Sequence, residues 1–327
     1  MLIPSKTPNE TQQRMIARGY GMFIHFGINT FNDTEWSDGT LPVESYAPPA
    51  VDVDSWVKNA RDCGMKYIIL ITKHHDGFCM WDTDTTDYGV KYSKNPTDVV
   101  AEAAKACEKY GVQLGLYYSL WDRHEPCYSD HEAYIRYMET HLTELLGGRY
   151  GKVVELWFDG GWDKKASDWG LDRLYALAKK LQPSIAVGVN CTIGRYLSKN
   201  TNNSVYWPEN YKEGMPMRYF PSDFRLLDPM FPPKDDPKLY RHASKTYYLP
   251  FEATICIRDM RNWFWDPHYC DDPLVDTSFI VEKYEQLIGQ QNCLVVNVAP
   301  NTNGVQEPAD IERLKEVRRV LEEKGLM

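Results

Sequence analysis

The stretch DVVAEAAKACEKYGVQLGLYYS, residues 98–119, decides the fold. Val100, Ala103, Ala104 and Cys107 recur at helical spacing and form one apolar face. Asp98 stands where a helix N-terminus needs a side-chain acceptor, and Gly111 where a helix stops in a left-handed turn. Residues 112–119 then run almost without polar interruption, the composition of a parallel strand buried on both faces. One helix, one glycine and one buried strand make a repeating unit.

The same unit lies upstream. In DSWVKNARDCG, Asp54 opens an amphipathic stretch bearing Val57 and Ala60, Gly64 closes it, and an apolar run follows at 67–72. Downstream, a helix at 131–146 ends in Gly147-Gly148 and precedes a strand at 153–158, and a helix at 171–181 precedes a strand at 185–189. With an early strand at 22–26 there are five β/α steps before Asn190, which predicts an α/β fold. A doubly wound sheet gathers its functional residues at one switch crevice. Here polar residues stand at the tips of several strands: His25, His74-His75-Asp76, Tyr118, Asp159 and Asn190. A (β/α)8 TIM-like barrel brings all such tips to one mouth and is the expected fold, with irregularity in its second half. Residues 192–246, rich in Pro, Asn, Asp and Tyr, read as long loops bordering that mouth. Order resumes at 247–257, followed by a helix at 279–290, a strand at 294–298 and a helix at 308–323 with Ile311, Leu314, Val317 and Leu321 on its core face. No linker divides the chain, so a single domain over residues 1–327 is expected.

The totals set limits. The 327 residues suffice for a barrel of this kind. The net charge of −9 disfavours nucleic acid and anionic membranes as partners, since both reward clustered Lys and Arg. The 10 Trp and 22 Tyr are numerous enough to furnish both an aromatic core and stacking faces for sugar rings. The 8 Cys form no CxxC pair, which speaks against a thiolate zinc cluster. The first residues carry no apolar signal segment, which fits the cytoplasm, or the periplasm or exterior if a leader has been removed, and leaves the compartment unassigned.

Three strand ends carry the chemistry. VVELWFDGGW sets Asp159 directly after a buried apolar strand, where a carboxylate is costly unless partners offset its desolvation. The paired glycines behind it leave room for a substrate to approach the backbone. LITKHHDGF places Lys73, His74, His75 and Asp76 after another strand, and His25 ends the first. Neighbouring histidines on extended chain point apart, and no HExxH or HxH pair is present. Hydrogen bonding to sugar hydroxyls is therefore the stronger reading of the imidazoles, and a metal centre built on His25, His74 and His75 the weaker.

Taken in order, HFG at His25, EW at Glu35-Trp36, KHHDGF at Lys73, GLYYSLWD ending at Asp122, and WFDG with Asp159 resemble the motifs of family 29 glycoside hydrolases, the retaining α-L-fucosidases. The tail LVVNVAPNTNGVQ resembles that family's barrel-closing strand and loop. EWSDG and WDRHEP look closest to the subgroup that cleaves α-1,3 and α-1,4 fucosyl branches.

The resemblance implies that Asp159 is the nucleophile and that His25, Glu35, Trp36, His74, His75, Tyr118 and Trp157 line a fucose pocket. It implies hydrolysis of terminal α-L-fucosyl residues from oligosaccharides or glycoconjugates, with no metal and no cofactor. The family's barrel normally precedes a β-sandwich, which is not expected within these residues. A retaining glycosidase also needs an acid/base carboxyl about 5–5.5 Å from its nucleophile. The match degrades where that residue should stand. Glu252, in YLPFEATICIR, occupies a segment resembling a family motif with a pocket Glu and is the first candidate; Asp223 in RYFPSDFRLLDP and Glu209 in YWPEN are its rivals. Two other readings stay open: a fucose-binding protein without efficient turnover, and a metal-dependent hydrolase using His25, His74 and His75.

Overall fold

The structure, a computed structural model, describes residues 2–194, 206–258 and 262–327. The central strands are β1 (Tyr20–Ile24), β2 (Tyr67–Lys73), β3 (Gln113–Ser119), β4 (Val153–Asp159) and β5 (Ala186–Val189). A small hairpin follows, β6 (Leu239–His242) with β7 (Lys245–Tyr248), and then β8 (Glu252–Cys256) and β9 (Cys293–Asn297). Seven strands pair in parallel in the order β5-β4-β3-β2-β1-β9-β8. Apart from Gln113, every residue in them is buried, as strands covered on both faces must be.

Residues 223–226 join the two edges of this sheet. Phe224 bridges Gly188 of β5 and Arg225 bridges Phe251 beside β8, both in parallel sense. Asp223 N donates to Val187 O at 2.7 Å, Arg225 N to Pro250 O at 2.8 Å, and Glu252 N to Arg225 O at 2.9 Å. This short segment is the eighth stave, and with it the barrel closes. It alternates as a strand should. Phe224 and Leu226 enter the inner core with Phe23, Tyr67, Ile69, Ile71, Tyr117 and Trp157. Arg225 instead pairs with Asp236 at 2.8 Å and donates to the Tyr240 hydroxyl at 2.7 Å. Gly188 makes room for the Phe224 ring, whose Cζ lies 2.3 Å from where a Cβ would stand. Full burial of an aromatic ring of this size contributes about 1.5–3 kcal/mol, so the stave is held from inside.

The outer helices are α2 (Val53–Asp62), α3 (Val99–Tyr110), α4 (His131–Leu146), α5 (Leu171–Leu181), α6 (Thr277–Gly289) and α7 (Pro308–Glu323), preceded in the chain by α1 (Glu10–Arg18). Asp98 caps α3 by accepting from Ala101 N at 2.8 Å, and Gly111 ends it at φ 68°. α2 is capped by Asp52 rather than Asp54; Asp54 reaches across to Lys109 and Tyr110 of α3. α1 underlies the barrel floor, where Gln12 donates to the carbonyls of Asp223 at 2.7 Å and Tyr248 at 2.6 Å. The expected irregularity in the second half is real. The connections on either side of the eighth stave carry no α-helix among the described residues. The region expected to be only loops supplies instead a stave and a hairpin, with 195–205 outside the described residues.

Candidate active site

Asp159 is the last residue of β4 and sits at the C-terminal mouth, nearly buried. Both its oxygens are held. The Tyr117 hydroxyl donates to Oδ2 at 2.8 Å and Asn190 Nδ2 donates to Oδ1 at 2.9 Å. Burial pushes this carboxyl up, and hydrogen bonds from Asn190, Tyr117 and the Gly160 N–H pull it back toward ionisation. Strand register explains the partners. Tyr117 lies beside Trp157 in the β3–β4 ladder, and Trp157 shares an inward face with Asp159 two residues on. The two rings stack at 5.4 Å and 25° and cap the inner core beneath the mouth, packed on Phe23.

Three histidines line the mouth in a row, His75 beside the carboxylate, His74 against His75 and His25 against His74, each held neutral at neutral pH chiefly by burial. His25 and His75 are pushed down to about 3, and His74 is also driven well below its ordinary value. The hydrogen bonds select two of the tautomers. Asn297 Nδ2 donates to Trp263 O, so its Oδ1 accepts from His25 Nδ1–H at 2.8 Å. Ser119 Oγ donates to Trp121 O, so it accepts from His75 Nδ1–H at 2.7 Å. Both Nε2 atoms are left as acceptors. That of His75 stands 3.6 Å from Asp159 Oδ2, which already accepts from Tyr117, so a hydroxyl entering here donates to the imidazole. His74 stacks on Tyr117 at 19°, with its Nδ1 buried and lacking a partner.

Glu35 and Trp36 come from the loop after β1. One Glu35 oxygen accepts from the backbone N–H groups of Trp263 at 2.9 Å and Phe264 at 3.3 Å. The other is buried without a partner, and burial pushes the group up to about 7. Trp36 is 49% exposed, stacks on Trp162 at 6.2 Å and meets His75 and Trp121 edge-on. It forms an open aromatic rim. Beneath, Lys73 donates to Asp122 Oδ2 at 2.8 Å and to the Tyr134 hydroxyl at 3.2 Å, tying together the loops that follow β2 and β3.

Residues 6–325 match the family model described as alpha-L-fucosidase. The chain belongs to that family. It is 32% identical over 324 residues to alpha-L-fucosidase 1 of Arabidopsis thaliana, covering 94% of this chain and 59% of that protein. It is 22% identical over 340 residues to the tissue alpha-L-fucosidase of Rattus norvegicus, covering 94% of this chain and 67% of that one. Among solved structures, a glycoside hydrolase 29 family member from an unknown rumen bacterium superimposes with a TM-score of 0.78 at 25% identity, over 97% of this chain and 57% of that chain. The chain thus spans little more than half the length of the Arabidopsis relative.

Within this family fold, the structure brings Asp159, His25, His74, His75, Glu35, Trp36 and Trp157 to one mouth, and four expected residues do not join them. Tyr118 faces outward, toward the helices; its hydroxyl meets His141 Nδ1 at 2.9 Å and its ring lies under Lys73. Its neighbour Tyr117 occupies the inward position. Glu252 is the first residue of β8 and so lies at the opposite end of the barrel. There it accepts from the Tyr67 hydroxyl at 2.7 Å and faces Glu155, which pairs with Arg18. Glu155 precedes Asp159 by four residues on β4, a climb of about 13 Å at strand spacing, so Glu252 cannot serve the same bond. Asp223 begins the eighth stave at that same end, fixed by the Tyr175 hydroxyl at 2.8 Å, Val187 N at 2.9 Å and Lys179 at 2.7 Å. Glu209 is exposed in the turn Pro208–Asn210 and makes none of the hydrogen bonds that assemble the pocket. The glycines after Asp159 also serve a different end. The space beside Gly160, at φ 72°, is filled by Trp121, and that beside Gly161 by Tyr219.

The sequence places Tyr117 at the end of the third strand, within GLYYSLWD, without assigning it to the pocket, and it gives no sign of Asp228. Asp228 follows the eighth stave by two residues, and its Oδ1 accepts from the same Asn190 Nδ2 that binds Asp159. Among the described residues, no group of three or more His, Cys, Asp or Glu side chains is arranged to hold a metal ion.

Proposed function

We propose that the chain hydrolyses terminal α-L-fucosides with retention of configuration, Asp159 forming a covalent bond to the anomeric carbon. The observation that carries this reading is the setting of Asp159. It has two fixed oxygens at a barrel mouth, hydrogen-bonded in a way that favours its anionic form, with the neutral His75 imidazole 3.6 Å away and His74 and His25 beyond it. A nucleophile held by donors keeps one attack direction and needs no reorganisation as charge moves off it. The Nε2 acceptors of His25 and His75 suit sugar hydroxyls, and the Trp157 ring suits an apolar C–H face. The names of the relatives supply fucose as the sugar.

The test is release of nitrophenol from the aryl α-L-fucoside, with the β-L-fucoside and α-D-galactoside as controls, followed by labelling with a 2-fluoro-fucosyl fluoride and peptide mapping. The expected results are turnover of the α-L-fucoside alone and a label on Asp159. Asp159→Asn should lose at least 10³-fold in kcat while still binding fucose. Near-normal turnover by that variant, or a label on another residue, refutes the assignment. Fucose affinity without hydrolysis of aryl or branched substrates identifies a binding protein instead.

A further inference from the structure

The proposed reaction requires a second carboxyl, and each candidate read from the sequence lies elsewhere. We propose that Asp228 is the acid/base residue of this site, set opposite Asp159 by the shared amide of Asn190. The inference rests on the fucosidase reading above.

The geometry follows from a single nitrogen. Asn190 Nδ2 donates to Asp159 Oδ1 at 2.9 Å and to Asp228 Oδ1. The two N–H bonds of a primary amide diverge by about 120°, which spaces acceptors on both by about 4.5–5 Å. A retaining pair works at a separation close to this, about 5–5.5 Å between its carboxyls. The fold supplies the placement. Asp159 ends β4, Asn190 follows β5, and Asp228 follows the eighth stave, so three adjacent staves deliver the three side chains to one mouth in order. Asp228 also keeps partial contact with solvent, the access that a leaving group and an incoming water need.

The electrostatics divide the roles. Asp228 is pushed up to about 7, first by burial and then by the negative charge of Asp159. Burial raises Asp159 too, but it accepts from two side chains and the Gly160 N–H, which favour its charged form. In the proposed resting state the pair holds one proton, on Asp228. In the first step an Asp159 oxygen bonds to C1 as the C1–O bond to the aglycone breaks, and the Asp228 proton passes to the departing oxygen. Esterified Asp159 no longer carries charge, so Asp228 loses its principal electrostatic partner and becomes a stable carboxylate. In the second step Asp228 takes a proton from water as the water oxygen bonds to C1 and the Asp159–C1 bond breaks. Fucose leaves, and both carboxyls return to their first state.

The experiment uses Asp228→Gly and the isosteric Asp228→Asn against fucosides of graded leaving-group acidity, with and without azide. The isosteric variant keeps the Asn190 contact if the smaller one disturbs the loop. The expected loss in kcat/KM is 10²–10⁴-fold for poor leaving groups and far less for dinitrophenyl fucoside. Azide should restore turnover and yield α-L-fucosyl azide, whereas Asp159→Gly with azide should yield the β-anomer. The alkaline limb of the kcat/KM profile should vanish in both Asp228 variants. An equal loss on all leaving groups, no azide product and an unchanged alkaline limb overturn the proposal and pass the role to Glu35, the other raised carboxyl of the pocket. A wild-type protein inert on every α-L-fucoside overturns the parent reading, and this one with it.

Discussion

Replacing Glu252 by Gln separates the two ends of the barrel. At the floor, Glu252 Oε2 accepts from Tyr67, while Arg18 binds Glu155 Oε2. The remaining oxygens, Glu155 Oε1 and Glu252 Oε1, are buried and accept from no donor, and the two carboxyls lie within hydrogen-bonding reach of one another. One proton between them satisfies both. Burial, and then the charge of Glu155, hold Glu252 well above the ordinary carboxyl range, so the proton belongs to Glu252. The sign follows from linkage. A carboxyl raised by folding contributes stability that is fully present below its unfolded value near 4.5. That contribution is lost as pH rises toward the folded value, with a slope of at most about 1.4 kcal/mol per pH unit for one proton. Glutamine keeps an acceptor for Tyr67 and a donor for Glu155 and carries no titratable proton. Between pH 5 and pH 7 the variant should gain up to about 2.7 kcal/mol on the wild type, or roughly 5 °C in Tm at about 2 °C per kcal/mol for a domain of this size. Calorimetry across that pH range measures it, with fucosidase kcat/KM taken on the same samples. Activity should stay within about twofold, because the substitution is about 13 Å down the barrel from Asp159. A loss of 10²-fold or more in a folded variant, largest for poor leaving groups, would refute the reasoning and return Glu252 to the mouth.

Tyr117→Phe removes the hydroxyl that donates to Asp159 and should lower kcat/KM by about 10–100-fold, the range for a hydrogen bond to a charged group. Tyr118→Phe loses only the contact with His141, so steady-state kinetics should be unchanged while urea unfolding reports about 1 kcal/mol less stability. Gly188→Ala should destabilise by about 1–3 kcal/mol, seen as a lower urea midpoint, since its methyl group meets the immobile Phe224 ring inside the barrel. An unshifted midpoint there would mean that residues 223–226 are not a packed stave.

How legible all this was in the sequence depended on local signal. The first five β/α units announce themselves through capping aspartates, terminal glycines and unbroken apolar runs, and the tip of β4 marks Asp159 without help from the fold. The eighth stave does not. Only Phe224 and Leu226 alternate inward, and Asp223 and Arg225, which alternate with them, look like loop residues until their buried partners, Tyr175 and Asp236, are in place. Their strand character is tertiary, and Asp228 was hidden with it. The one available hint was a short period of two between Pro221 and Pro229. Glu252 illustrates a second kind of loss. The strand was visible, but which of its ends the residue occupies follows only from where β8 begins. Tyr117 and Tyr118 illustrate a third. Adjacent tyrosines on a strand face opposite ways, and the pairing of Tyr117 with Trp157, which decides between them, is a register that sequence does not print.

β1 lies between β2 and β9, its first neighbour some forty residues along the chain and its second about 270. During synthesis the strand bearing His25 at its tip acquires one ladder early and must leave the other edge open until the last strand emerges. Through that interval the half-built sheet presents an unpaired, wholly apolar edge, the kind that recruits other chains. Residues 223–226 extend the same delay, since the opposite rim stays open until β8 arrives to hold them. The slow, late event in closing this barrel is thus the meeting of β1 with β9 around a finished middle, and chaperone dependence should concentrate there.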